Sequence, residues 1–201
     1  MPRTLILVRH AQSTANVDGS LNCAIPGVPL SERGREQATA LGRTWAWDGT
    51  APVALWSSPM LRARQTADAL ADRLDLPVRV HDAAHEALIG DLHGSTDPAH
   101  ARLVASTFAA WRTDLRGRVP GGESGADVVE RLRTVVGDVL AALPPDGTAV
   151  LVGHGTLFVV GVPRVAAGLS PHVPELPNAG LAVLTDGTDG LRVRSWAGAL
   201  G

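Results

Sequence analysis

The chain has 201 residues and a formal net charge of −2, and 45% of its residues are hydrophobic, which is typical of a single globular domain. All 18 basic residues are arginine. The lack of lysine excludes P-loop NTPases, protein kinases and enzymes that form a lysine Schiff base, because each of these classes needs a lysine for its chemistry.

The charge balance and the single cysteine favour a cytoplasmic protein without a nucleic-acid partner. The sequence has no basic stripe of the kind that binds nucleic acid. Cys23 cannot form an internal disulfide, which favours a reducing compartment. The apolar run at 5–8 is too short for a signal peptide or a membrane span, so we expect no membrane association.

The predicted elements alternate between strands and helices. The first strand is the apolar run 5–8, whose continuous hydrophobicity indicates burial on both faces. A loop follows at about 15–29, and Ser31 is the predicted N-cap of a helix that runs to about residue 47. The later predictions are strands at 53–56, 78–80, 149–152, 181–184 and 191–196, helices from Pro59 to about 74, at 99–115 and at 124–143, and a loop-rich segment at 81–100.

This alternation predicts an α/β fold, a three-layer sandwich with a mostly parallel central sheet and helices on both faces. Neither a linker nor an internal repeat interrupts the pattern. We therefore expect one domain over residues 1–201, with a small helical cap at about 85–120. The C-terminal strand could be an edge that pairs with a second copy, so a homodimer is possible.

Two histidines follow buried strands directly. Arg9 and His10 come after the first strand, and His154 and Gly155 come after the strand at 149–152. Ligands of open α/β sheets bind at the carboxyl ends of the strands, so these residues are candidates for one site. Arg62, at the start of a helix that also follows a strand, could join them. Two arginines, two histidines and helix N-termini would form a receptor for a dianionic phosphate. The alternative to a shared site is that each histidine only caps its strand and that Arg62 is a solvent-exposed helix residue.

The segment 7–16, LVRHAQSTAN, resembles the signature of the histidine phosphatase superfamily, which includes the cofactor-dependent phosphoglycerate mutases. Further segments are similar to later motifs of that family in the same order, and the resemblance covers about residues 4–185. These are 29–38, 58–66, 86–94, 120–124 and 152–155, followed by Asn178.

The resemblance implies a metal-independent phosphomonoesterase that needs no cofactor and acts on a small phosphorylated metabolite. It implies that His10 is the nucleophile, which forms a phosphohistidine, and that Glu86 protonates the leaving oxygen and later deprotonates water. Arg9, Arg62 and His154 would hold the phosphate oxygens. The other residues implied in phosphate or substrate binding are Ser13, Asn16, Cys23 and Gly155.

Three positions depart from the family pattern. Ala11 stands where the family usually has glycine after the nucleophile, which leaves open a phosphate-binding module without activity. Ala87 and Ile89 stand where the mutase branch has arginine and tyrosine, and the chain lacks the lysine with which that branch holds its substrate. These differences favour transfer of the phosphoryl group to water, which is hydrolysis. The alternative is a mutase, which returns the phosphoryl group to a bound substrate.

Several other interpretations of single residues stay open at this point. His81, His85, His93 and Glu86 could form a metal site, although their segment lacks a helical pattern. Ser124 lies in a near match to the serine-hydrolase motif but is better explained as a helix N-cap. The aromatic residues and arginines of the cap could contact substrate, although helix packing and solvent exposure are the simpler explanations; they are Phe108, Trp111, Arg102, Arg112, Arg116 and Arg118.

Overall fold

A six-stranded sheet forms the centre of the computed structural model, which describes residues 2–45, 47 and 49–197. The strand order is β3-β2-β4-β1-β5-β6. The pairs β1–β4, β2–β4 and β2–β3 are parallel, whereas β1–β5 and β5–β6 are antiparallel. The prediction of a mostly parallel sheet is therefore confirmed. The strands are β1 Arg3–Arg9, β2 Pro52–Ser57, β3 Val78–Val80, β4 Thr148–Gly153, β5 Leu181–Gly187 and β6 Gly190–Trp196.

Helices cover both faces of this sheet, as the sequence predicts. Leu5 and Leu7 of β1 point to a core shared with α5 (Gly125–Ala141) and α6 (Gly155–Val165). Ile6 and Val8 point the other way, into a core shared with α3 (Leu61–Leu74). None of the helices in the described part of the chain has the length and apolar character of a membrane span. The helices are α1 Thr14–Asp18, α2 Glu32–Thr44, α3 Leu61–Leu74, α4 Pro98–Ala110, α5 Gly125–Ala141 and α6 Gly155–Val165, with short 3₁₀ turns at Asp82–Ala84 and Gly90–Leu92.

The structure differs from the predicted elements mainly at two helices. The predicted loop 15–29 starts inside α1, whose N-cap is Ser13. Helix α6 was not predicted, because most of its residues are apolar and buried, and a short apolar run does not distinguish a buried helix from a buried strand. It also contains Gly161 and Pro163, which disfavour a helix in sequence analysis. Helix α2 ends at Thr44, and part of its predicted extension to 47 lies outside the described residues.

Strand β1 places the candidate residues together because it lies between β4 and β5. Arg9 pairs with Gly153 at the carboxyl ends of β1 and β4. The N–H of His10 then donates to the carbonyl oxygen of Gly153 at 2.9 Å. The parallel pairing thus puts His10 beside His154, although 144 positions separate them in the sequence.

We expect Leu132→Ala to lower the free energy of unfolding by about 2–5 kcal/mol, because it opens a cavity between α5 and α6. Leu132 is fully buried, and a Cβ atom added to Gly161 would lie 2.4 Å from its Cδ2 atom. Leu103→Ala is the matched control, since that leucine is 42% exposed on α4. Urea unfolding of both variants measures the difference, and equal losses would contradict the packing described.

Candidate active site

His10 has a fixed tautomer. It is 3% exposed, and its Nδ1 lies 2.7 Å from the carbonyl oxygen of Ala11, so Nδ1 carries the proton and donates it. Nε2 therefore keeps its lone pair and accepts a hydrogen bond from Nε of Arg62 at 3.1 Å. Burial and then the charge of Arg62 lower the pKa of His10 from 6.5 to about 3. The imidazole is neutral near neutral pH, as a nitrogen nucleophile must be.

Two guanidinium groups approach this ring with N–H groups that have no partner. Arg62, in the first turn of α3, is buried, and its Nη1 makes no hydrogen bond. Arg9, at the end of β1, donates from Nη1 to the carbonyl oxygen of Leu176 and to Glu175, while its buried Nε has no partner. Unpaired buried donors are costly, so an anionic ligand would stabilise both side chains.

His154 completes the group from the other strand end. It is the N-cap residue of α6 and is fully buried, with its ring centroid 5.1 Å from that of His10. Its Nε2 lies 2.7 Å from the hydroxyl oxygen of Ser58, and its Nδ1 has no partner. Burial, followed by the charge of Arg62, lowers the pKa of His154 well below its ordinary value. Sequence analysis gave Ser58 no role of its own, although it lies in a matching motif.

Glu86 lies over the start of α6, beside these residues. Its carboxylate accepts the backbone N–H groups of Ala87 at 2.8 Å, Thr156 at 3.1 Å and Leu157 at 2.9 Å. The side chain is close enough to act electrostatically on Arg62, whose pKa burial lowers and Glu86 raises. The structure therefore brings Glu86 to the same end of the sheet as His10.

Ser13 and Asn16 form the capping box of α1, and Asn16 is linked to His10 through Asn178. The amide of Asn178 donates to the carbonyl oxygen of His10 at 3.1 Å and to Oδ1 of Asn16 at 3.2 Å. Ser13 is buried and donates its hydroxyl to the same Oδ1 atom. These contacts hold the loop after β1 in place, while a direct role in phosphate binding stays a prediction.

Gly155 and Cys23 lie beside the two arginines. A Cβ atom on Gly155 would lie 3.0 Å from Cζ of Arg9, so glycine lets this guanidinium lie against the start of α6 without a shift. Cys23 is half-buried, and burial, followed by the charge of Glu86, raises the pKa of its thiol to about 12. The thiol is therefore neutral, and its contact with substrate stays a prediction.

Ala11 fits the site without strain. Its φ angle is not positive, and its side chain is fully buried against Leu30 and Ala38. Its N–H donates to the hydroxyl of Thr66 at 3.0 Å. The extra methyl group packs into the core, so the exchange of glycine for alanine leaves the nucleophile loop intact.

A largely buried ion pair supports the segment that carries Glu86. Arg131 of α5 donates from Nε and Nη2 to the carboxylate of Glu123, at 2.8 and 2.7 Å. Its Nη1 also donates to the carbonyl oxygens of Ala83 and His85. Sequence analysis did not identify this pair. The only signal was that Glu123 belongs to the motif at 120–124.

The alternative metal site does not assemble in the structure. His81 contacts Asp138, the Nδ1 of His85 lies 2.8 Å from the carbonyl oxygen of Glu86, and His93 accepts the N–H of Cys23. No group of three or more His, Cys, Asp or Glu residues among those described could hold a metal ion.

Helix capping and helix packing account for two further candidates. Ser124 is the N-cap of α5, as predicted, so it serves the helix start. Trp111 is fully buried and donates from Nε1 to the carbonyl oxygen of Gly117, which fits helix packing.

Comparison with known proteins identifies the family. The model of the histidine phosphatase superfamily (branch 1) matches residues 5–198. The chain belongs to this superfamily. It is 35% identical over 187 residues to glucosyl-3-phosphoglycerate phosphatase of Mycobacterium tuberculosis, which covers 88% of this chain and 78% of the relative. As a member related to named phosphatases, this histidine phosphatase is a phosphoric monoester hydrolase.

Two further comparisons agree with this assignment. A 2,3-bisphosphoglycerate-dependent phosphoglycerate mutase of Methylobacterium radiotolerans is 32% identical over 181 residues, covering 88% of this chain and 85% of the relative. A solved mycobacterial glucosyl-3-phosphoglycerate phosphatase, in complex with inorganic phosphate, superimposes with a TM-score of 0.80 at 28% identity, covering 98% of each chain. The resemblance seen in the sequence and the predicted fold class are confirmed.

We expect the free energy of unfolding in phosphate-free buffer to fall as the pH drops from 6.5 towards 3. The folded protein keeps His10 and His154 neutral, whereas the unfolded chain protonates both below about pH 6.5, so acid favours unfolding. At about pH 5 the loss from His10 is roughly 2 kcal/mol, and His154 adds to it in the same direction. Urea unfolding at about pH 7.5 and pH 5 measures it. His10→Ala should make the drop smaller, and an exposed control, His172→Ala, should leave it unchanged.

We expect Arg131→Met to lower both kcat and the free energy of unfolding, the latter by about 3–5 kcal/mol, because it leaves Glu123 without its partner. The backbone that carries Glu86 also loses two carbonyl anchors. Arg133→Met on the same helix is the matched control, since Arg133 forms an exposed pair with Glu130 worth under about 1 kcal/mol. Equal kcat values for the two variants would contradict a role for Arg131 in holding Glu86.

Proposed function

We propose that this histidine phosphatase hydrolyses a small phosphorylated metabolite in two steps, through a phosphohistidine at His10. The observation that carries the proposal is the state of His10: a buried, neutral ring whose Nε2 lone pair faces the guanidinium of Arg62. Unpartnered nitrogens of Arg9, Arg62 and His154 surround that ring. The related mycobacterial phosphatase, which has been solved with inorganic phosphate, supports the same use of the site.

In the first step, the phosphate displaces the Arg62–His10 hydrogen bond and takes up the free donors. Arg9 and Arg62 offset the charge of the phosphoryl oxygens, and His154 adds a further contact. Nε2 of His10 attacks phosphorus as the bond to the leaving oxygen breaks. Glu86 gives its proton to that oxygen, which leaves as an alcohol. The hydrogen bond from Nδ1 to the Ala11 carbonyl stabilises the positive charge that the ring acquires.

In the second step, water replaces the alcohol. Glu86, now a carboxylate, accepts a proton from this water as its oxygen attacks phosphorus. The bond between phosphorus and Nε2 breaks, and the electron pair returns to His10. One water is consumed, one alcohol and one phosphate are released, and Glu86 is again protonated. Arginine and histidine supply the positive charge, so we propose that no metal or cofactor takes part.

A mutase is the second candidate, since a phosphoglycerate mutase is among the relatives. A mutase returns the phosphoryl group from the histidine to a bound acceptor, which needs side chains that hold the acceptor against water. Ala87 and Ile89 are buried and apolar at the positions where the mutase branch has polar groups. This difference favours hydrolysis.

Three expectations from the sequence belong to the same proposal. We propose that residues 85–120, which include α4, act as a cap over the site within a single domain. We also propose a cytoplasmic location, which the single unpaired cysteine supports, and no nucleic-acid partner. Strand β6 lies at the edge of the sheet, where Ala167 already bonds to the backbone of Leu191 and Val193, and we propose that the rest of this edge pairs two copies into a homodimer.

We expect His10→Ala to abolish phosphate release and Glu86→Gln to lower kcat by about 10²–10⁴-fold on unactivated phosphomonoesters. The assay contains EDTA, and His172→Ala is the control histidine. With an aryl phosphate whose leaving group needs no proton, Glu86→Gln should still form the phosphohistidine but hydrolyse it slowly. An acid-labile, alkali-stable phosphoenzyme should then accumulate.

Three results would change the proposal. Activity in His10→Ala would exclude the phosphohistidine mechanism. Phosphate binding without turnover by the unaltered chain would indicate a binding module. Transfer to a phosphoglycerate acceptor in preference to water would indicate a mutase.

A further inference from the structure

A groove of about 430 Å³ lies between α4 and α6, within the size range of small-molecule sites. Helix α4 contributes Val104, Ala105 and Phe108 to its walls, and α6 contributes Val159 and Val160. Small or apolar side chains therefore cover most of its surface.

The groove lies beside the proposed catalytic groups, which contact two of the residues that line it. Thr156 lines it, and the N–H of Thr156 donates to the carboxylate of Glu86. Glu175 also lines it, and this glutamate accepts from Nη1 of Arg9. Because Glu86 is the proposed proton donor to the leaving oxygen, the group attached to that oxygen would enter this groove.

The charged groups of the groove are already engaged with the protein. Among the described residues that line it, those with polar side chains are Arg112, Thr156 and Glu175. Glu175 pairs with Arg9, and Nη1 of Arg112 donates to the carbonyl oxygens of Pro171 and Val173, at 3.2 and 2.7 Å. A leaving group rich in hydroxyl or carboxylate groups would lose its water here and gain few hydrogen bonds in return.

We infer that this groove selects an apolar leaving group, so that the preferred substrates are phosphomonoesters of aliphatic alcohols rather than of sugars or hydroxy acids. The inference rests on the proposed function. It keeps the same reaction and specifies which class of alcohol is released. This substrate preference would differ from that of the relative named for glucosyl-3-phosphoglycerate, because glucosyl-3-phosphoglycerate carries hydroxyl groups and a carboxylate.

The test compares kcat/KM for ethyl, butyl and hexyl phosphate with that for glycerol 1-phosphate and 3-phosphoglycerate. The three alkyl alcohols have nearly the same acidity, so their rates differ mainly through contacts of the leaving group. We expect kcat/KM to rise about fourfold for each methylene that enters the groove. We also expect hexyl phosphate to exceed both polar substrates.

Two failures are distinguishable. Faster hydrolysis of glycerol 1-phosphate or 3-phosphoglycerate, dependent on His10, would overturn the inference and leave the proposed function standing. Failure of every substrate, with no phosphohistidine trapped, would overturn both.

Substitutions in α4 test whether the preference for longer alkyl groups arises in the groove. Ala105→Gln places a polar side chain in the groove and should lower kcat/KM for hexyl phosphate at least tenfold more than for ethyl phosphate. Ala110→Gln is the matched control, since Ala110 is exposed on the same helix and lies outside the groove. Equal losses for the two alkyl phosphates in Ala105→Gln would overturn the inference.

Arg112→Gln tests the rival interpretation. If 3-phosphoglycerate were the faster substrate and this variant removed that advantage, Arg112 would be a reader of carboxylates, and the inference would be wrong.

Discussion

The proton on Nδ1 of His10 is the feature on which the rest of the site depends. Held by the carbonyl oxygen of Ala11, it leaves the opposite nitrogen with a lone pair and the ring without charge. Burial of the ring disfavours an imidazolium, and the positive charges of Arg62 and Arg9 disfavour it further. The cations proposed to bind phosphate thus help to keep His10 neutral.

The start of α6 organises the other half of the chemistry. His154 caps this helix, Gly155 makes room for Arg9, and the next two N–H groups hold Glu86. A single helix terminus therefore positions a proposed phosphate contact, a guanidinium and the proposed acid. The ion pair of Arg131 with Glu123 fixes the opposite side of the Glu86 segment. The acid is held from both directions by groups that are themselves buried.

Much of this arrangement could be predicted from the sequence, because strand ends in a parallel sheet meet at one edge. The apolar runs located β1 and β4, and the residues after them gave His10 and His154. Helix α6 could not be assigned from the sequence, since a short and mostly apolar run fits a buried strand as well as a buried helix.

The ion pair of Arg131 with Glu123 also could not be predicted from the sequence. The two residues belong to different segments, and only the folded chain shows that one side chain reaches the carbonyl groups beneath Glu86. The role of Asn178 in holding the His10 carbonyl is another contact between distant parts of the chain.

The position of β1 between β4 and β5 also determines when the active site can form during synthesis. Both partners of the strand that carries the nucleophile lie in the last third of the chain, at Thr148–Gly153 and Leu181–Gly187. A growing chain holds β1 without hydrogen-bonded neighbours until these segments emerge from the ribosome. The proposed phosphate site is therefore completed late, and a nascent chain that ends before β5 lacks one neighbour of the strand that leads to His10.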